Sequence, residues 1–250
     1  MSEDRTPELE ADGLRGKYDA SAANWDADFS SAALNRIHGD ACWRAFRRAI
    51  GRDCGTSLAV ELGVGTGLFT DRLSSEFSKL IAVDFSQKML DMLQQKLEAR
   101  GILNVTYMQA DATDLRSVSS GSVDAVFCFG LLENVSDAGS LLREVRRILK
   151  PMGRFAGVVS NRSCPWYAIR KLVSGRRWYW EDIRLYSAAD LRSAATAAGL
   201  RERAIRGWGL VPSQVPNSAW LAPLELAERA LEVTPLSRFM GGLAFCFERP

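Results

Sequence analysis

Val60-Glu61-Leu62-Gly63-Val64-Gly65-Thr66-Gly67 is the stretch that decides how this chain is read. The apolar run SLAVEL at residues 57–62 leads straight into three glycines at i, i+2 and i+4. Glycines at a strand-to-helix turn take positive φ and let backbone approach a ligand closely. One GxG is explained by a plain tight turn, but three glycines after an apolar strand point to a binding loop. The loop is not a dinucleotide fingerprint, because GxGxxG needs glycine at position 68 and Leu68 stands there. It is not a Walker loop either, since Gly67 precedes Leu68-Phe69 and no Gly-Lys-Ser/Thr follows. Glu61 would repel a pyrophosphate and attract an ammonium group. Seventeen residues after Gly67, the next apolar run ends in Asp84, whose carboxylate can accept both hydroxyls of an unphosphorylated ribose.

Working outward, short apolar runs alternate with helical periods. Strands are expected at residues 57–62, 79–84, 105–110, 123–129 and 154–160, with helices through residue 75, at 87–99 and at 138–149. Such alternation implies βαβ units and a parallel sheet covered on both faces. Upstream, residues 18–50 have helical period, and residues 1–16 read as a disordered tail. Downstream, Ser187 and Asp190 form an S-x-x-D capping signal for a helix over 187–199. Two late strands follow, at 203–208 and 243–249, the second expected to run antiparallel. A helix at 221–231 lies between them.

Composition narrows the function. The 250 residues are 47% apolar and 25% charged, ordinary for a globular chain and too apolar for a disordered one. Basic and acidic residues nearly cancel, 32 against 30, so a nucleic-acid-coating surface is not expected. Five cysteines without a CxxC give neither a zinc site nor a disulfide framework, which fits a reducing, cytoplasmic compartment. No metal site is expected, and the single histidine, His38, removes every mechanism that needs two. No signal peptide is visible, and no apolar stretch approaches the ~18 residues of a membrane span.

The ordered segments ELGVGTG, VDFSQKML, QADATDL, VDAVFCFGLLENVSD and LLREVRRILKPMGRF resemble the successive motifs of class I S-adenosylmethionine-dependent methyltransferases. The subgroup they resemble is the small-molecule one of ubiquinone and menaquinone biosynthesis. That resemblance implies a Rossmann-like, seven-stranded, mostly parallel sheet with helices on both faces and an N-terminal helical lid at 17–50. It makes 17–250 one methyltransferase domain, with S-adenosylmethionine as cofactor and S-adenosylhomocysteine as product. By the same resemblance Glu61 meets the methionine amino group, and Gly63 and Gly65 shape its pocket. Asp84 takes the ribose, with Phe85 and Met89 beside the adenine. Asp111 and the Ala112 N–H take the adenine edge. Phe129 and Gly130 lie beside the sulfonium, with Leu131 toward the acceptor. Tyr18 and Trp25, seven residues apart on one helical face, match the aromatic element that closes over the cofactor, although core anchoring would explain them equally well.

Relatives often carry a histidine where this chain has Asn134, and asparagine cannot serve as a general base. His38 and Glu133 are the remaining catalytic candidates, each with an ordinary structural alternative. The amine-directed [DN]PP[YF] motif is absent, as FGLLE occupies residues 129–133. Residues 161–186 hold three of seven tryptophans, three of five tyrosines, and six basic residues against Glu181 and Asp182. This aromatic and cationic insert, through Trp166, Arg176, Arg177 and Trp178, is expected to read an anionic or aromatic acceptor. A solvated lobe or a homodimer contact is its alternative. Residues 209–240 would form the other wall. O- or N-methylation of a small molecule is expected; a carbon methyltransferase, or a cofactor-binding partner without catalysis, is the competing reading.

Overall fold

The computed structural model describes residues 16, 18–19, 33–51, 57–167, 169, 184–209 and 221–250, with backbone only at 33–38 and 221–225. All seven expected strands are present: β1 (Leu58–Leu62), β2 (Lys79–Asp84), β3 (Val105–Gln109), β4 (Val123–Phe129), β5 (Leu149–Ser160), β6 (Arg201–Trp208) and β7 (Gly242–Glu248). The helices are α1 (Ala33–Ile50), α2 (Thr70–Ser74), α3 (Gln87–Glu98), α4 (Ala138–Ile148), α5 (Ala188–Ala197) and α6 (Leu221–Leu231). Together the strands make one sheet in the order β3-β2-β1-β4-β5-β7-β6. β1 to β5 pair in parallel, and β7 runs antiparallel between β5 and β6.

Alternation along each strand feeds two cores. Val60, Leu62, Val126 and Cys128 face α4 and α5 through Leu141, Leu142, Val145 and Leu191. Ala59, Ala125, Phe127 and Ala156 face the opposite way, against Ala41, Cys42, Ala45 and Phe46 of α1. Small residues dominate the strands there, which lets α1 approach the sheet. Every residue of β7 is buried, so it belongs inside the sheet and not at its edge. The four described cysteines, Cys42, Cys128, Cys164 and Cys246, are buried and form no disulfide with one another.

Helix starts follow local chemistry. Ser86 caps α3 by accepting from the Met89 N–H, and Asp137 caps α4 by accepting from the Ser140 N–H. Ser187 and Asp190 form the reciprocal capping box that S-x-x-D announced. α4 ends at Ile148 and Met152 takes φ 63° in the Pro151-Met152-Gly153 turn, inside the first part of β5.

The strand order reverses between β1 and β4. Crevices at such switch points, beyond the C-terminal strand ends, are where open α/β sheets bind ligands. The glycine loop, Asp84, Phe129 and Ser160 all end up on that edge.

Candidate active site

The glycine loop is shaped by contacts on both sides. Gly63, Gly65 and Gly67 have φ of 66°, 52° and 84°. A Cβ on Gly63 would lie 2.8 Å from Leu131 Cδ1, and one on Gly67 would lie 2.2 Å from Leu93 Cδ1. The first glycine therefore admits the segment after β4, and the third admits α3. The Gly65 N–H donates to Asp84 Oδ2 at 2.8 Å, and the Ser86 N–H donates to Asp84 Oδ1 at 3.0 Å. Asp84 thus ties the loop to the end of β2 while each oxygen keeps further accepting capacity. Burial pushes its carboxyl above the usual range, against those N–H groups, which hold it down.

Tyr18 and Asp19 meet this same corner. The Tyr18 ring packs edge-on to Phe85 at 5.6 Å, and Asp19 accepts from the Ser86 hydroxyl. The N-terminal aromatic is therefore fastened over the Asp84-Phe85-Ser86 turn. Met89 is buried one turn into α3. Across the edge, Asp111 Oδ1 accepts from both the N–H and hydroxyl of Thr113, each at 2.7 Å, in a tight polar turn next to buried Ala112.

Beyond β4, Gly130 takes φ 73° and a Cβ there would meet nothing within 4 Å, so its surface opens into free space. Asn134 Nδ2 donates to the Gly130 carbonyl at 2.8 Å, which holds this turn closed. The place of the missing histidine is thus filled by a structural bond. Phe129 lies on the same strand face as Phe127, and its ring packs on Phe69 at 4.4 Å and Phe46 at 5.1 Å. Its side chain belongs to the α1 core, which leaves its backbone at the edge.

Two buried glutamates complete the arrangement. Glu61 is 3% exposed and its Oε2 lacks a hydrogen-bond partner, while the Thr70 hydroxyl lies close enough to favour the glutamate's charged form. Burial pushes its pKa to about 8. Glu133 is 8% exposed, accepts at Oε1 from the Ser160 N–H, and is pushed by burial to about 7, with Ser160 offsetting part of the rise. Its field reaches the Tyr18 hydroxyl and the Cys42 thiol. Both of those groups are raised chiefly by burial.

Trp25, Arg176, Arg177 and Trp178 lie outside the described residues, as does the His38 side chain, whose backbone is in α1. Trp166 is described and partly exposed at the start of the insert. Sequence reasoning did not find Asp19, Thr70, Asn134 as a turn lock, or Ser160. An aspartate directly after both Tyr18 and Trp25 was the one available signal for Asp19.

The donor set fits the expected cofactor. A buried carboxylate with an orphaned oxygen, next to two positive-φ glycines, suits an ammonium head. Asp84 retains acceptor sites for a ribose, and the open face of Gly130 leaves room for a reactive centre. Because Glu61 is mostly protonated at neutral pH, binding an ammonium there must release a proton. Cofactor affinity should therefore rise from about pH 6 to 8, with a limit of about ten-fold per unit, and fall above it as the amine deprotonates. Calorimetry in buffers of different ionisation enthalpy measures the release. The Glu61→Gln variant should show neither the release nor the rise, and a flat wild-type profile would contradict the assignment.

Comparison with known proteins agrees. A family model described as a methyltransferase domain matches residues 60–157. A demethylmenaquinone methyltransferase of Clavibacter sepedonicus is 31% identical over 189 residues, covering 75% of this chain and 73% of its own. A ubiquinone biosynthesis O-methyltransferase of Acinetobacter baylyi is 24% identical over 174 residues, covering 66% and 71%. In structure, an S-adenosylmethionine-dependent methyltransferase of Thermotoga maritima superposes with a TM-score of 0.68 at 16% identity, over 93% of this chain and 98% of that one. The glycine loop, the acidic edge and this relationship converge, and the chain belongs to the class I S-adenosylmethionine-dependent methyltransferases, in the subgroup that includes the ubiquinone and menaquinone enzymes.

Proposed function

We propose that this enzyme methylates a hydroxyl or amine of a small-molecule acceptor, aromatic hydroxyls being the first class to try, and that Glu133 receives the acceptor's proton. The observation that carries the reading is Glu133 itself. It is a buried carboxylate with a pKa near neutrality, held at the edge of the sheet two residues beyond Leu131. Such a group exchanges protons at ordinary pH, which suits a nucleophile that must lose one. The cofactor supplies an activated methyl group on a sulfonium, so the protein's part is to hold the acceptor in line and take its proton. The acceptor's O–H or N–H would yield its proton to Glu133 as the new bond to the methyl carbon forms and the carbon–sulfur bond breaks, with S-adenosylhomocysteine as the leaving group. Holding the nucleophile about 3–3.5 Å from the methyl can supply roughly 7–11 kcal/mol of the barrier. Leu131 and Leu132 would keep water from that space.

The insert at 161–186 would read the acceptor, because its two feet stand on this edge. Asn161 and Tyr186 bridge one another. The Arg184 N–H donates to the Glu133 carbonyl at 2.9 Å, and the Tyr186 hydroxyl donates to the Leu132 carbonyl at 3.1 Å. Tyr167 donates to the Gly241 carbonyl at 3.0 Å, tying the insert to the start of β7. Arg176, Arg177 and Trp178 stand between these feet in the sequence. The oxygen-directed reading also draws on the relative named as an O-methyltransferase. Incubation with methyl-labelled S-adenosylmethionine and panels of phenols, amines and carbon nucleophiles, read by mass spectrometry, tests it. Label on oxygen or nitrogen is the expected result, and label on carbon alone would overturn it.

A further inference from the structure

The turn that carries Glu133 is held at every carbonyl from Gly130 to Glu133. Asn134 fills the first two, its side-chain amide donating to the Gly130 carbonyl at 2.8 Å and its N–H to the Leu131 carbonyl at 2.9 Å. The other two are filled from the segment that leads into α5. The Tyr186 hydroxyl donates to the Leu132 carbonyl at 3.1 Å, across 54 residues of sequence, and the Arg184 N–H donates to the Glu133 carbonyl at 2.9 Å. The Glu133 carboxyl is held separately, by the Ser160 N–H at the end of β5.

Tyr186 is itself anchored to that strand end. Its N–H donates to the Ser160 carbonyl at 3.1 Å, and its carbonyl accepts from the Arg162 N–H at 2.9 Å. A closed circuit results, running from the Glu133 carboxyl through the Ser160 peptide, Tyr186 and the Leu132 carbonyl back to Glu133. The Tyr186 ring is 2% exposed, packed in the core of α4 and α5, with the Arg184 guanidinium 5.3 Å from its centre. Phenylalanine would fill that space equally well. What the hydroxyl adds is one bond, to the carbonyl of Leu132, a residue that is also 2% exposed. A buried carbonyl that loses its donor turns toward water or another N–H. The peptide that would turn here is the one joining Leu132 to Glu133.

We propose that Tyr186 is a positioning residue for methyl transfer: through the Leu132 carbonyl, its hydroxyl fixes the turn that aims the Glu133 carboxyl at the acceptor. This rests on Glu133 as the group that receives the acceptor's proton. The titratable groups within the field of Glu133 are Tyr186, Tyr18, Cys42 on α1 and Cys128 on β4, and burial raises all four, so they stay neutral near pH 7. Arg184 and Asp190 are the charges that face Tyr186.

The test compares wild type with Tyr186→Phe, using glutamate labelled with carbon-13 at the side-chain carboxyl. The Glu133 signal is identified by its loss in Glu133→Gln, so Glu61, which burial also raises, is read apart from it. The Glu133 midpoint should fall by about half a pH unit or more in Tyr186→Phe, because a loosened turn admits water to a carboxyl that burial had raised. The kcat for the phenol most heavily labelled in the acceptor panel should fall about ten-fold, its acid limb moving with the midpoint. The dissociation constant for S-adenosylmethionine should stay within two-fold of wild type. The unfolding temperature should fall by no more than a few degrees, as for one lost hydrogen bond. An unmoved midpoint overturns the proposal, whatever happens to kcat, and leaves the role of Glu133 standing. A moved midpoint with unchanged kcat overturns it together with that role.

Discussion

Glu133→Gln should lower kcat by about 100-fold or more while leaving the dissociation constant for S-adenosylmethionine near the wild-type value. General bases typically contribute 10²–10⁴-fold, and glutamine cannot take a proton. Its amide oxygen can still accept from the Ser160 N–H, so the tie between the segment after β4 and the end of β5 survives. The pH profile separates a proton acceptor from a brace. Burial raises the Glu133 carboxyl to about 7, so the fraction able to accept a proton grows through that region. Wild-type kcat should rise about ten-fold per unit below pH 7 and level off above it, and the variant should be flat. A Glu133→Gln enzyme with full kcat and the wild-type profile would remove Glu133 from the chemistry. Acceptor activation would then pass to a residue outside Glu133, with His38 the next to substitute.

The residues that made the fold legible were those whose neighbours in sequence are also their partners in space. The apolar runs marked β1, β2, β4 and β5 because parallel strands covered on both faces read as continuous hydrophobic segments. The capping box at Ser187 was legible because Asp190 is three residues away. β7 shows the limit of this. Its seven buried residues mark it as interior, yet only the structure inserts it between β5 and β6, since its pairing with β5 skips over β6, the strand that precedes it in sequence.

The site divides the same way. The glycine loop and Asp84 announce themselves by type and spacing. Glu133 was visible as an acid, but its raised proton affinity comes from burial, which Ser160, 27 residues on, partly offsets. Asp19 finds Ser86 across 67 residues, and no local pattern encodes that bond. Asn134 looked like a vacant base position, whereas its amide is spent on the carbonyl of Gly130. Phe129 is instructive in a different manner. Period two already puts it on the face of Phe127, so its ring follows Phe127 into the aromatic cluster with Phe46 and Phe69.

Asp84→Ala should weaken S-adenosylmethionine by ten-fold at least. The carboxylate is buried at the end of β2 and, on the ribose reading, would accept the ribose hydroxyls, each charged hydrogen bond being worth about 1.5–3 kcal/mol. Its two oxygens also hold the Gly65 and Ser86 N–H groups. Alanine therefore frees the glycine loop as well as removing the ribose acceptor, and both effects act in the same direction. The loss should fall on binding rather than on the fold. Burial already raises the Asp84 carboxyl, so deleting the charge relieves a desolvation cost that partly offsets the two lost bonds. Calorimetric titration of cofactor, alongside thermal unfolding of the apo protein, separates the two contributions. A dissociation constant within two-fold of wild type would overturn the ribose assignment. A large fall in unfolding temperature with proportionate loss of affinity would instead make Asp84 a brace for the loop. Adenosine, which keeps the ribose and lacks the methionine arm, should lose as large a factor as the whole cofactor if the hydroxyls are what Asp84 holds.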